Sequence, residues 1–386
     1  MAEEEIVMPS WIRLKMVGGL SLAILFLASS ALAADHLSGR VLGGGAPIAN
    51  STVTLWEASS SESNKLAEAK TNEQGQFEIR SATTRGTDSI LYLVATGGIP
   101  TAQKADNPAI TLLAVLGNKP PEQVVINEFS TIASVWTNTQ FLNGIELQGN
   151  ALGLRIASDN VPNFVDLQTG GWGAAIQSPL NGGQTPTMSN FATLADVLAG
   201  CVTLIRSDAC SSLFYAATSP KGEYPKDTLA AAENIARYPW YQPEKLFGLL
   251  NYLYPAPQDH NLRSVPFMPY LNFTPSAWVF RSNLMAEDYA QVAKACSIAK
   301  ATFWVADNFS VGWQGQDSLW EGHATKFAPN GTPLSPITTG FTGGGMEGGS
   351  FGLAVDDDSG RWADHGTDLG VGSGRCEAVF FDQESD

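Results

Sequence analysis

The chain has 386 residues, 44% hydrophobic and 16% charged, and its 22 basic against 38 acidic side chains leave a formal net charge of −16. A single core stops growing at roughly 250–300 residues, so this length implies two or three domains, and the apolar fraction excludes a chain disordered throughout. The acidic balance excludes the basic footprint that nucleic acid or an anionic membrane surface requires.

Arg13 and Lys15 precede an apolar run from Val17 to Ala28, and Ala31 and Ala33 form the small-x-small pattern of a cleavage site. That run is shorter than the ~20 residues of a membrane span. Residues 1–33 are therefore expected to be a secretory signal, cut after Ala33 or Ala34, with an uncleaved anchor as the alternative reading. Glu3, Glu4 and Glu5 make the extreme N-terminus acidic for a signal, which a start at Met8 or Met16 would explain. No cysteine follows the cleavage point to carry a lipid, and no second apolar run reaches spanning length. The expected location is periplasmic or extracellular, with no membrane span left after cleavage.

Residues 36–116 are expected to be strands. The runs L-S-G-R-V-L, S-T-V-T-L-W-E, K-L-A-E-A-K-T, G-Q-F-E-I and S-I-L-Y-L-V-A-T are short and are separated by turns at Gly43–Pro47 and Asn72–Gly75. Val53 and Leu55, then Phe77 and Ile79, alternate with polar residues, the period of a half-buried strand. Short strands joined by frequent turns predict an antiparallel β-sandwich. The residues Gly39, Val41, Ala46, Pro47, Val53, Thr71, Asn72, Gly75 and Phe77 fall in an order that resembles the carboxypeptidase regulatory-like (prealbumin-like) sandwich. The resemblance implies an accessory module that contacts a ligand or acts as a rigid spacer; it does not imply peptidase activity. Gly75 is expected at a hairpin position with positive φ.

Beyond the K-P-P-E link at Lys119–Glu122, residues 117–255 change to helical spacing. Phe129, Ile132, Ala133 and Trp136 share one helix face, as do Phe191, Leu194, Ala195 and Leu198, and Leu246, Leu249, Leu250 and Leu253. Asp227 is placed to cap the helix that follows it. Five or six short helices are expected. The glycine-rich segment Asp166–Ile176 either lines a pocket or is a close-packed connector. Cys201 and Cys210 flank a short polar link, which in an exported chain suits a local disulfide; two buried free thiols are the alternative. Cys296 and Cys376 are remote, and no zinc-ligand spacing occurs.

Residues 256–276 are a Pro- and aromatic-rich connector, and residues 277–386 return to strand patterns. T-F-W-V-A-D-N at Thr302–Asn308 is echoed by G-R-W-A-D-H at Gly360–His365, with F-G-L-A-V-D before the second. This resembles NHL-type or streptogramin-lyase-like β-propeller blades, at ~40–50 residues each. Space remains for about two degenerate blades, where closure needs about four. A cut-short copy of a longer propeller, or closure through oligomers, would account for that. The fold class expected is therefore multidomain α+β: N-terminal antiparallel β-sandwich, central helical domain and C-terminal incomplete propeller. The whole order resembles a family of exported bacterial proteins.

Few constellations suggest a reaction. G-G-S-F-G at Gly348–Gly352 matches the nucleophile-elbow string, but it precedes a strand instead of linking strand to helix. Asp356–Gly360 lacks calcium-loop spacing. His36, His260, His323 and His365 sit in remote segments. The spread tryptophans make carbohydrate contact conceivable, although core packing accounts for most of them. No catalytic residue, metal ligand or cofactor site is assigned. The expected function is an exported, non-enzymatic binding or structural protein with an unidentified protein or carbohydrate partner. The alternative is a truncated relative of a propeller lyase or hydrolase that has lost its activity.

Overall fold

The computed structural model describes residues 35–81, 89–257 and 262–282, then the segments 290–297, 303–310, 323–336, 341–342, 350–355 and 361–365. The signal segment 1–33, Cys376, Asp356–Gly360, His260, Trp313 and Trp320 lie outside these residues.

Among the described residues nine strands build the N-terminal part: β1 Asp35–Gly43, β2 Ala46–Ala49, β3 Thr52–Ala58, β4 Asn64–Lys70, β5 Gln76–Ser81, β6 Ile90–Thr96, β7 Ile99–Pro100, β8 Thr111–Gly117 and β9 Gln123–Ile126. One sheet has the order β5-β1-β2-β7 and the other β4-β3-β6-β8. All these pairings are antiparallel. The exception is β9, which comes after the Lys119–Glu122 link, where the sequence pattern turns helical, and pairs parallel to β1 from Ser38↔Gln123 to Val41↔Ile126. Phe77 and Ile79, expected to point inward, are buried. Gly75 has φ +70°, and a Cβ there would lie 2.6 Å from the carbonyl oxygen of Val41, so this turn admits only glycine without strain.

The central part carries α1 Glu128–Asn138, the short ladder β10 Leu142–Asn143 with β11 Glu146–Leu147, α2 Ala151–Asp159, α3 Val161–Phe164, and the ladder β12 Val165–Asp166 with β13 Gly171–Trp172. It continues with α4 Ala174–Gln177, α5 Pro179–Gly182, α6 Thr187–Val202, α7 Ala209–Ala216, α8 Thr228–Arg237 and α9 Pro243–Leu253. Asn127 and Ser130 cap α1 reciprocally, and the Asp227 carboxylate accepts from the Ala230 N–H at 2.9 Å at the start of α8. The apolar faces read from the spacing on α1, α6 and α9 are buried, with Trp136 partly so.

Strands β6 and β8 are buried along nearly their whole length, on both faces. This is why I-L-Y-L-V-A and T-L-L-A-V-L run continuously apolar instead of alternating. Their free edge is closed by helix hydroxyls. The N–H groups of Thr111, Leu113 and Val115 donate to Thr228 Oγ1, Thr131 Oγ1 and Ser134 Oγ at 3.0, 3.0 and 2.9 Å. Thr228 Oγ1 and Ser130 Oγ donate back to the carbonyls of Thr111 and Leu113. Alternate residues of an edge strand point their backbone groups outward, and five such groups here meet a side chain instead of another strand. One apolar core runs from Leu37 through α9 to Trp278.

The Pro-rich connector and the residues just after it are docked in the same way. Along α6, Thr187 Oγ1 accepts from the Arg281 N–H and donates to its carbonyl, and Asn190 Nδ2 donates to the Val279 carbonyl. Thr193 Oγ1 and Asp196 Oδ1 accept from the N–H groups of Leu271 and Phe267. Positions three apart drift by about 60° per step around an α-helix, so the connector crosses α6 obliquely.

The C-terminal strands are β14 Ala290–Ser297, β15 Phe303–Ser310, β16 His323–Phe327 and β17 Phe341–Thr342, a four-stranded antiparallel sheet in chain order, then the hairpin β18 Ser350–Val355 with β19 Arg361–His365. Asn160 and Asn163 donate to the carbonyls of Pro329 and Asn330 at 2.9 and 2.8 Å, joining this part to the helices.

Candidate functional site

The glycine-rich segment Asp166–Ile176 is both a packed connector and a pocket wall. Asp166 Oδ1 accepts from the Gln168 N–H at 2.8 Å, which tightens the turn, and Asn127 Nδ2 donates to the Gly170 carbonyl at 2.9 Å. On its inner side a Cβ at Gly173 would stand 2.4 Å from the Pro162 carbonyl oxygen, so the loop meets α3 backbone to backbone. On its outer side it borders a groove of about 570 Å³, with Leu116, Pro121, Pro162 and Val165 as its apolar wall and Lys119, Gln168 and Gln177 as its polar groups.

Trp172 forms the aromatic side of this groove. Its ring lies 4.4 Å from Phe129 and 5.6 Å from Phe191, centroid to centroid. These core rings hold the indole in a fixed orientation, half-buried and half open. The indole N–H and the Gln168 side-chain amide have no protein hydrogen-bond partner among the described residues, whereas Gln177 Nε2 is engaged by the Trp172 carbonyl at 3.1 Å. An adjoining recess of about 460 Å³ shares Leu116, Lys119 and Pro162 and adds Arg155, Asp159 and Asn330. Burial raises the Asp159 carboxyl above its usual range, and the Arg155 and Lys119 charges pull it back.

Glu128 and Asp196 form a second, wholly enclosed feature that sequence spacing did not reveal. Both are fully buried. Glu128 Oε1 accepts from the Gly44 N–H at 2.9 Å and Asp196 Oδ1 from Phe267 N–H at 2.9 Å, while Glu128 Oε2 and Asp196 Oδ2 have no protein partner among the described residues. Loss of water around them pushes Glu128 up to about 7 and, together with the Glu128 charge, Asp196 up to about 8. Burial, with both carboxylates nearby, also raises the Tyr254 hydroxyl. Neither carboxyl reaches solvent, and burial biases both toward the protonated form.

Cys201 and Cys210 form a disulfide, Cα atoms 4.4 Å apart. His36 Nε2 lies 2.8 Å from Glu78 Oε1 at the surface, away from the groove. Ser350 of the G-G-S-F-G string opens strand β18. Cys296, His323 and His365 lie on separate strands. Among the described residues no group of three His, Cys, Asp or Glu side chains is placed to hold a metal ion, and no helix is long and apolar enough to cross a membrane.

Residues 38–95 match the Transthyretin-like family, which agrees with the two antiparallel sheets of this region. No curated protein matches the chain. Among solved structures, a 9R-lipoxygenase from Cyanothece PCC8801 is similar at 16% identity over 24% of this chain and 15% of the lipoxygenase, with a TM-score of 0.15. At that score the likeness carries no argument about fold or activity.

Proposed function

We propose that the chain is an exported, non-enzymatic binding protein of the cell envelope or extracellular space, and that its Trp172 groove takes a glycan chain. The observation that supports this is the Trp172 ring itself. It is fixed from behind by Phe129 and Phe191, and it stands at the edge of an open groove with its N–H unpaired. A rigid indole offers a flat apolar face to a sugar ring, and its N–H and the Gln168 amide offer hydrogen bonds to hydroxyls. The transthyretin-like match at residues 38–95 supports an accessory role for the sandwich. The four-stranded sheet β14–β17, antiparallel in chain order, supports reading its segment as one propeller-type blade.

Glycan-array screening of the purified chain, followed by calorimetry on the best hit, tests the reading. Binding weakened at least tenfold by Trp172→Ala is expected, in a variant that still unfolds cooperatively. Absence of any glycan hit, or a hit indifferent to Trp172→Ala, overturns it. The export part is tested separately by the N-terminal mass of the chain recovered outside the cytoplasm, expected to begin at Ala34 or Asp35.

A further inference from the structure

A second cleft lies between α7 and α9, away from the Trp172 groove. Ser211, Ser212, Tyr215 and Ala216 fall on one face of α7, and Lys245, Leu249 and Tyr252 on the facing side of α9. Together they line a shallow, open depression of about 410 Å³, a size within the range of small-ligand sites. Ala216 and Leu249 are buried and make the floor, while the rims are tyrosines, Tyr215 at 65% and Tyr252 at 39% exposure. Large aromatic rings left this open at the lip of a cleft are candidates for contact with another molecule.

The rims are held in place. Tyr252 OH donates to Asp208 Oδ2 at 2.7 Å, and the Arg206 guanidinium lies 4.4 Å from the Tyr252 ring centroid. Arg206 also pairs with Asp208 at 3.8 Å. Both residues sit in the short loop closed by the Cys201–Cys210 disulfide, so the covalent link fixes the groups that orient Tyr252. On the opposite rim the Lys245 ammonium lies 4.9 Å from the Tyr215 ring centroid.

The charge balance selects the ligand. Arg206 has a carboxylate neighbour, whereas Lys245 is half-buried and has no carboxylate partner among the described residues. Lys245 is the charged side chain in a lining otherwise made of serines, tyrosines, Ala216 and Leu249, so it gives the cleft a local positive charge in a chain of net charge −16. The Ser212 and Tyr215 hydroxyls likewise have no protein partner among the described residues. A ligand that suits the cleft has a flat apolar face for a tyrosine, hydroxyls for the serines and one carboxylate for Lys245.

We infer that the α7–α9 cleft binds a single acidic sugar residue, a uronic-acid-type ring whose carboxylate pairs with Lys245 while the ring lies against the tyrosines. The inference rests on the binding reading for its ligand class, but it concerns a different site. A single acidic residue is favoured over a polyuronate chain, because the net negative charge repels a polyanion beyond the ~8 Å over which salt screens at physiological strength.

Titration of the full mature chain with sodium glucuronate, glucose, sodium acetate and an oligogalacturonate, followed by calorimetry or by NMR, tests it. Glucuronate is expected to bind at least tenfold more tightly than glucose or acetate, and the oligomer no more tightly per ring than the monomer. Lys245→Met should remove the preference for glucuronate over glucose, and Tyr215→Ala should weaken both sugars, with the melting temperature unchanged in each variant. Equal binding of glucuronate and glucose, binding by acetate as tight as glucuronate, or glucuronate binding unmoved by Lys245→Met overturns the inference. Glucuronate binding lost in Trp172→Ala but kept in Tyr215→Ala also overturns it and leaves the Trp172 groove reading standing. Loss of glycan-array binding with the α7–α9 results intact does the reverse.

Discussion

The Asp196 carboxylate on α6 accepts the backbone N–H of Phe267 at 2.9 Å and so ties the Pro-rich connector to the helical core. Its second oxygen is buried without a protein partner among the described residues, as is one oxygen of Glu128 nearby. A charged oxygen in that position costs several kcal/mol of lost hydration, so the fold keeps the proton instead.

The consequence is a pH dependence of definite sign. With Asp196 raised to about 8 and Glu128 to about 7, the folded chain holds protons that the unfolded chain releases above about pH 4. The unfolded state therefore binds fewer protons across that window, and stability falls as pH rises from about 4 to about 8, then levels off. Asp196→Asn keeps an acceptor for Phe267 and removes the ionisable carboxyl. It should raise stability by ~1–3 kcal/mol at pH 8 and change it little at pH 4.5. Urea denaturation at the two pH values measures this, and an equal effect at both would show that protonation is not the cause.

Thr228 serves Thr111 twice, accepting its N–H at 3.0 Å and donating to its carbonyl at 2.7 Å, both buried. Thr228→Val preserves shape and removes both bonds. It should cost about 1–3 kcal/mol, since an unpaired buried backbone group loses its full hydration. Thr228→Ser, which keeps the hydroxyl, should cost markedly less. If the two variants are equally destabilised in chemical denaturation, the hydroxyl is not what closes the sheet edge.

The Cys201–Cys210 bridge spans a sequence separation of nine. Closing a loop of that size constrains the unfolded chain by about 2–3 kcal/mol. Replacing both cysteines with serine should lower stability by about that amount under oxidising conditions. Under reducing conditions the same variant should match the parent chain, a comparison that thermal melts with and without reductant provide.

Much of the scaffold was legible because it rests on local rules. Alternation at Phe77 and Ile79 marked a strand, three-four spacing at Phe191 to Leu198 marked a helix face, and Asp227 marked a helix start. The Cys201–Cys210 link was readable because its partners are near neighbours in sequence. The strand Gln123–Ile126 was not legible, because its parallel partner β1 lies more than 80 positions earlier and only folding brings the two together. The Ser130, Thr131 and Ser134 hydroxyls on α1 look like ordinary helix polarity until β8 is placed against them.

The site divides along the same line. Sequence marked Asp166–Ile176 as either pocket wall or connector, and the glycines that pack against Pro162 and the tryptophan that faces outward make it both. Nothing in the sequence marked Glu128, Asp196, Tyr215 or Lys245, since burial and charge pairing are properties of neighbours distant in the chain. By itself the sequence marked strands over residues 36–116, the helix faces and Cys201 and Cys210 as a candidate local pair, each read from spacing and residue type, and the structure closes that pair as a disulfide. Only the tertiary structure decided which polar groups are desolvated and which cations stand without partners, because those depend on what folding places around them.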